Sequence, residues 1–467
     1  MRRCLFAPTR ALAYALVALV ACAQPGLPQD EPPAIRVDVR QVLVPVVVTD
    51  RKGHHVTGLK AGDFRVFEEG VEQQVVSFGT ELGGLSLLSE AADEKGRPAS
   101  PEVSPADSKS NPPTRRTYLV VIDALYLSYE NSHRVSESLQ KLFQHEEGSD
   151  SHYALVALGR QLRILRSVTR HPADILTVAR SNDFSHNVLE NDGSSAAVQE
   201  LQLKAMLERH CRYCPCDDPL QTADQTFGRD RGCRVELDRI ESWTKAAALE
   251  RTALTRSFLL RLKEIVSELA KQPGKRVLVL VSDGFELWAG EGLFSLIAVY
   301  TSRPSFVQKN PGDHLDRELE EVTRAATSGD VVIYSVDSRG LPAPTFGVFD
   351  AGSEGRRFVR NAGPILFNHV IQRSLLESRR QDAMARLADV TGGVFFSGNN
   401  DLARGMKQAF ADGREYYVLA YVPSDRATDG GFRKIRVEVK NKKLTVRAKE
   451  GYWAPRATAS LPPWSAR

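Results

Sequence analysis

Two short aliphatic runs, residues 117–123 (TYLVVID) and 276–284 (RVLVLVSDG), constrain this 467-residue chain more than any other feature. Each ends abruptly in an aspartate. A run this short, apolar at nearly every position, has no polar face to turn to water. It belongs in the middle of a parallel sheet covered on both sides. In open α/β sheets, ligands gather beyond the carboxyl ends of such strands. Asp123 and Asp283, delivered to that edge, could together hold a hard divalent cation; the other reading is that each only caps the helix that follows.

The segments between these runs alternate in period. Residues 132–144 read as a helix with Val135, Leu139, Leu142 and Phe143 on one face. Strands are expected at 153–158 (YALVAL) and 162–168. Pro172 opens another helix at a position where its missing N–H costs nothing. Residues 257–269 carry a stripe of Phe258, Leu259, Leu262, Ile265, Val266 and Leu269, ended by Pro273-Gly274. Helix 314–328 leads to strand 331–337 (VVIYSVD), and helix 379–391 leads through Gly392-Gly393 to Val394-Phe395-Phe396. Strands alternating with helices imply a mostly parallel sheet with helices on both faces, a Rossmann-like α/β class.

The order TYLVVID, YALVAL, PGKRVLVLVSDGF, VVIYSVD, LADVTGGVFF resembles a von Willebrand factor type A domain. The flanks, VPVVVTDRKGHHVTGLKAGDFRVFEEGVEQQVVSF upstream and YYVLAYVPSDRATDGGFRKIRVEVKNKKLTVRAKEGYWAP downstream, narrow the resemblance to exported von Willebrand A-related proteins of the acidobacterial type. It spans most of residues 35–455. The resemblance implies a magnesium ion held by D-x-S-x-S after the first strand, a threonine from a later loop and an aspartate after the fourth strand, with one position left for a partner's carboxylate. Asp123 matches the first aspartate and Asp283 the last. The two serine positions are Leu125 and Leu127, with Ser128 one residue late. Ser194 and Ser195 stand near the threonine's place. The site keeps its charges and loses its hydroxyl ligands, so magnesium, which demands near-ideal octahedral geometry, is expected to bind weakly if at all.

At the N-terminus, Arg2 and Arg3 precede an apolar run, residues 11–21, too short to span a membrane. Residues 19–22 (LVAC) resemble a lipoprotein cleavage box that would acylate Cys22, and residues 21–23 would also suit ordinary signal peptidase. Either way the mature chain is expected outside the cytoplasm: periplasmic, an outer-membrane lipoprotein, or extracellular. A net charge of +4 and the absence of a dense Lys/Arg tract argue against nucleic-acid binding.

Residues 35–80 read as short antiparallel strands, with turns at Lys52-Gly53 and Glu69-Gly70. Residues 412–453 supply strands at 416–422, 432–439 and 444–448. One β-sandwich built from both chain ends, with the α/β domain (117–411) inserted, is the expected arrangement; a separate β-domain at each end is the rival. Residues 81–116 have the composition of a solvated linker, 454–467 form a tail, and 181–235 and 338–378 are irregular insertions.

The first insertion carries Cys211, Cys214, Cys216 and Cys233, spaced C-x2-C-x-C-x16-C, with His210 adjacent. In a reducing compartment this would suggest tetrahedral zinc; in an exported chain it suggests two disulfides, whose pairing the sequence leaves open. No HExxH, GxSxG, phosphate-binding or dinucleotide motif occurs. His54 and His55 sit in a predicted turn and are expected to be solvated. The expected function is non-enzymatic binding or adhesion: engagement of a protein or cell-envelope partner at the carboxyl edge of the sheet. A metal-assisted hydrolase using the same carboxylates and a metal-free envelope scaffold are the alternatives.

Overall fold

The alternation within residues 118–122 decides how the central sheet is covered. Tyr118, Val120 and Ile122 point into one apolar layer, and Leu119 and Val121 into the other. The computed structural model describes residues 41–80, 84–87, 115–146, 150–189, 196–214, 216, 229–301, 303–341, 378–425 and 427–456. These all fall in one compact unit, Gln41–Arg467.

Strand β6 (Arg116–Asp123) lies between β7 (Ser151–Leu158) and β9 (Lys275–Ser282), parallel to both. Beyond β9 come β10 (Val331–Asp337) and the short β11 (Phe395–Phe396), again parallel. β8 (Leu162–Thr169) pairs antiparallel with β7 at the other edge. The order is β11-β10-β9-β6-β7-β8. The chain passes from β6 to β7 on one side and from β9 to β10 on the other, so the crevice beyond β6 and β9 is where the topology reverses.

Helices α1 (Tyr129–Phe143), α2 (Pro172–Ala179), α3 (Phe184–Val188) and a later one, Leu402–Asp412, pack on the Tyr118 face through Val135, Ile175, Phe184, Met406 and Phe410. The opposite face is covered by α5 (Arg229–Ala270), by α7 (Asp316–Ser328) and by helix α8 over 378–391. Of the expected α5 stripe, Phe258, Leu259, Leu262, Val266 and Leu269 are buried and Ile265 is partly so. Helix α4 (Ala196–Tyr213) runs against the first half of α5, and both pack on α6 (Glu291–Tyr300) through Leu203, Leu207, Ile240, Ala248, Phe294 and Ile297. Among the described residues, no helix is long and apolar enough to cross a membrane.

Strands from the two chain ends are direct neighbours. β1 (Val42–Thr49) is bonded on one side to β12 (Tyr417–Tyr421) and on the other to β14 (Thr445–Ala448). With β4 (Val75–Thr80) and β5 (Gly84–Leu87) they form a sheet ordered β14-β1-β12-β4-β5. The second antiparallel sheet, β15-β13-β2-β3, combines β2 (Phe64–Glu68) and β3 (Val71–Gln73) with β13 (Phe432–Val439) and β15 (Gly451–Trp453). Val44, Val46, Val66, Leu419 and Ile435 share its core with the rings of Phe64, Phe78 and Tyr417. The β2–β3 turn falls at Glu69-Gly70, where both residues have positive φ (49° and 82°), the twist a two-residue hairpin requires.

Several expectations are corrected here. The stretch 81–116 is not linker throughout: Gly84–Leu87 pairs with β4, and Arg116 already belongs to β6. The segment 181–235 is not irregular throughout: it holds α3, α4 and the start of α5. The tail begins later than residue 454, since Ala454 N–H donates to the Gly431 carbonyl and Arg456 bridges to Asp429. Helices Glu291–Tyr300 and Leu402–Asp412, unforeseen from the sequence, complete the layers. The second insertion, residues 338–378, is described only at its two ends.

His55 is a further correction. His54 is exposed beside Asp50, but His55 tucks inward, its ring only 12% exposed, with Nε2 2.7 Å from Asp412 Oδ1. Asp412 is fully buried and also accepts from the Tyr334 hydroxyl (3.0 Å) and both terminal nitrogens of Arg447 (2.7 and 3.0 Å). One carboxylate thereby ties the His55 turn, β14 and the α/β layer together. A buried charge of this kind requires such full pairing.

Candidate functional site at the carboxyl edge of the sheet

Asp123 ends β6 and Asp283 follows β9, so adjacent parallel strands bring the two side chains to one edge. Both are buried, with relative exposures of 0% and 9%. Asp123 Oδ1 accepts from the N–H groups of Leu125 (3.0 Å) and Tyr126 (3.1 Å), and Oδ2 from the Ser282 hydroxyl (2.5 Å). Asp283 Oδ1 accepts from the Ser338 hydroxyl (2.5 Å), its Oδ2 from the Ser128 N–H (3.0 Å), and Asn131 Nδ2 lies 2.9 Å from both oxygens. Nearly every lone pair of the two carboxylates is therefore taken by a donor of the chain itself.

Burial pushes the Asp123 carboxyl up to about 7, against the lowering effect of its hydrogen bonds, and the nearby Asp283 adds to the rise. Asp283 is raised for the same first reason, with Ser338, Asn131 and Ser128 pulling it back.

The residues do not fit the magnesium shell that the resemblance implies. Leu125 and Leu127, at the serine positions, are 3% and 2% exposed and pack in the two opposite core layers. Ser128 is spent as the N-cap of α1, its hydroxyl accepting from Asn131 N–H at 3.3 Å. Octahedral magnesium would need carboxylate oxygens that here already accept from N–H and O–H groups of the chain. Ser194 and Ser195 lie outside the described residues, as does Cys22.

The residues that complete this edge, Ser282, Ser338 and Asn131, escape a search for the D-x-S-x-S pattern. A signal exists: serine directly precedes Asp283 in VSDG and directly follows Asp337 in SVDS. At Gly284 (φ +86°) an added Cβ would stand 2.9 Å from the Arg380 carbonyl, so this turn admits only glycine without rearrangement.

Next to this pair lies a buried ion cluster. Glu286 (2% exposed) accepts from Arg380 Nε and Nη2 (3.0 and 2.7 Å) and from the N–H groups of Gly290 and Gly292 at the start of α6. Arg251, equally buried, stands 3.7 Å away and donates to the Ala196 carbonyl. Burial alone would raise the Glu286 carboxyl, yet Arg380 and Arg251 hold it below the ordinary value. The cluster fixes α4, α5, α6 and α8 against the loop after β9.

Cys211 is bonded to Cys216 and Cys214 to Cys233, with S–S distances of 2.11 and 2.05 Å. The second bond joins the end of α4 to the first turns of α5. It closes a helical hairpin whose exposed side includes Leu201, Tyr213, Val235 and Leu249.

No family model matches the chain, and no curated protein matches it. Solved structures similar to it include an aerotolerance-related membrane protein from Bacteroides fragilis with multiple mutations to serine (10% identity, 64% of this chain and 98% of that one, TM-score 0.26). Two others are the conserved hypothetical protein BatB from Bacteroides thetaiotaomicron (11% identity, 64% and 98%, TM-score 0.26) and the PilB minor pilin from Streptococcus sanguinis (8% identity, 80% and 87%, TM-score 0.26). Likenesses at this level carry no argument about what the chain does.

Proposed function

We propose that the chain is an exported, non-enzymatic binding protein. Its α/β domain is of von Willebrand A type and engages a protein or envelope partner at the carboxyl edge of the sheet without a metal ion. The observation that supports this most is the state of the two carboxylates. They sit at the topological switch point, where ligands of such sheets collect, yet they are spent on holding the ends of β6, β9, β10 and α1 in place. Two of the segments leaving this edge carry an exposed apolar side chain, Tyr129 after Ser128 and Leu341 after β10 (64% and 58% exposed). Export is supported by the Arg2-Arg3 and LVAC signals and by the paired cysteines.

The test is surface plasmon resonance of the mature chain against solubilised envelope fractions, with and without chelator, alongside a Tyr129→Ala/Leu341→Ala variant. Retention that chelator leaves intact and the variant loses is the expected result. Chelator-sensitive retention would instead restore metal-dependent adhesion, and turnover in a panel of hydrolase substrates would establish an enzyme.

A further inference from the structure

The tip of the α4–α5 hairpin holds more than two disulfides. His210 and Cys214 lie one helical turn apart at the end of α4, where Cys214 N–H still donates to the His210 carbonyl (3.0 Å). Cys233 and Glu236 lie one turn apart at the start of α5. Residues three or four apart share a helix face, so each helix offers a pair, and the Cys214–Cys233 bond makes the pairs face each other. One ligand atom each from His210, Cys214 and Glu236 lies within 4.8 Å of the others, and His210 Nδ1 is 3.2 Å from Glu236 Oε2. His210 and Cys214 are buried, whereas the Glu236 side chain is 41% exposed and opens the group to solvent. The fourth donor, Cys233 Sγ, is bonded to Cys214 Sγ at 2.05 Å, and an imidazole, a carboxylate and two sulfurs are a zinc donor set, lacking only free thiols.

We propose that this tip is a redox-gated zinc site: oxidised it is closed by Cys214–Cys233, and reduced it binds one Zn2+ through His210, Cys214, Cys233 and Glu236. A dithiol reductant supplies two electrons and two protons, turning the Cys214–Cys233 bond into two thiols and leaving as its own disulfide. Zinc then takes both sulfurs as thiolates, and their protons pass to water. Cutting the bond does not free the helices to part. Leu207, one turn before His210, and Ile240, one turn after Glu236, are buried in the apolar layer that α4 and α5 share with α6. Cys211 and Cys216 form their own bond and are not needed as ligands.

The experiment uses the full mature chain, oxidised or reduced with a non-chelating phosphine under anaerobic conditions, then mixed with zinc, desalted and assayed for bound metal. Cobalt is substituted for zinc to read thiolate coordination from its absorption. The expected result is one zinc per reduced chain, none per oxidised chain, and a tetrahedral thiolate spectrum with cobalt. His210→Ala and Cys214→Ser should each lower binding to the oxidised level, while Cys211→Ser/Cys216→Ser retains it. Absence of zinc in the reduced wild type, or undiminished binding in His210→Ala, overturns the proposal. Loss of binding in Cys211→Ser/Cys216→Ser with circular dichroism unchanged overturns the donor assignment.

Discussion

The carboxyl edge of the sheet and the tip of the α4–α5 hairpin handle their chemistry in opposite ways. At the edge, Asp123, Asp283 and Glu286 are buried, and donors of the same chain meet each carboxylate. At the hairpin, large apolar side chains face outward (Leu201 68%, Tyr213 72%, Val235 50%, Leu249 53%), and covalent bonds hold the tip. Charge has been turned to internal structure in one region; in the other, apolar surface stays on the outside and sulfur does the fastening. Buried acids at a switch point are thus not evidence of chemistry until their hydrogen bonds have been counted.

The comparison breaks first at Glu286. Glu286→Ala leaves the buried Arg251 without its counter-charge and Arg380 with Glu200 as its only carboxylate, and stranding a buried charge costs about 3–5 kcal/mol. Urea unfolding of the variant should show the largest loss of any change considered, and a loss below 1 kcal/mol would mean that water already screens the cluster. The hairpin answers next: Cys214→Ser with Cys233→Ser opens a 19-residue separation, whose closure stabilises by about 3 kcal/mol in the chain-entropy model. Limited proteolysis should then cut at the hairpin tip, near the lost bond, while the helices below Leu207 and Ile240 and the sheet stay protected. Asp283→Ala, which orphans the Ser128 N–H and the Asn131 amide, should cost about 1–3 kcal/mol by the same unfolding assay.

Asp123 sharpens the comparison through pH. Its carboxyl titrates higher in the fold than the ordinary value of 3.8, so the folded chain holds this proton where the unfolded chain has lost it. Its contribution therefore falls as pH rises from about 4 to about 7 and is level above. Asp123→Asn should flatten that part of the stability profile and unfold no more easily than wild type at pH 8. Calorimetric titration with magnesium should give no binding heat in either protein; tight binding that survives Asp123→Ala and Asp283→Ala would sink this account of the edge. Smallest of all, Val235→Ser and Leu249→Ser on the exposed face should change stability by less than about 0.5 kcal/mol, since neither side chain leaves a packed layer.

The sheet was legible in the sequence because burial on both faces leaves runs with no polar position, as in 118–122 and 277–281. The two aspartates were legible because each breaks such a run. Their partners were not, because Ser282, Ser338 and Asn131 converge only through strand adjacency, and no spacing records that Ser338 Oγ reaches Asp283. The helices within 181–235 leave little trace in the sequence because the halves of α4 and α5 that meet each other bury few large side chains. Leu203, Leu207 and Ile240 are joined there by alanines, Ala247 and Ala248, so the helical period is faint. The burial of His55 leaves no local signal because its partner, Asp412, stands 357 residues away.

The position of β1 governs the order in which this chain can fold. Both of its neighbours, β12 and β14, lie beyond residue 416. While the ribosome or a translocation channel still holds the C-terminal segment, β1 has no strand to join, and β2 has only its short hairpin partner β3. The α/β layers are complete by residue 412 and can close first. Strands β12 to β15 act as a latch: until they arrive, the N-terminal strands remain open and threadable. A truncation just before β12 should therefore keep its central helices and sheet yet leave β1, β2 and β4 without the strands that complete their sheets.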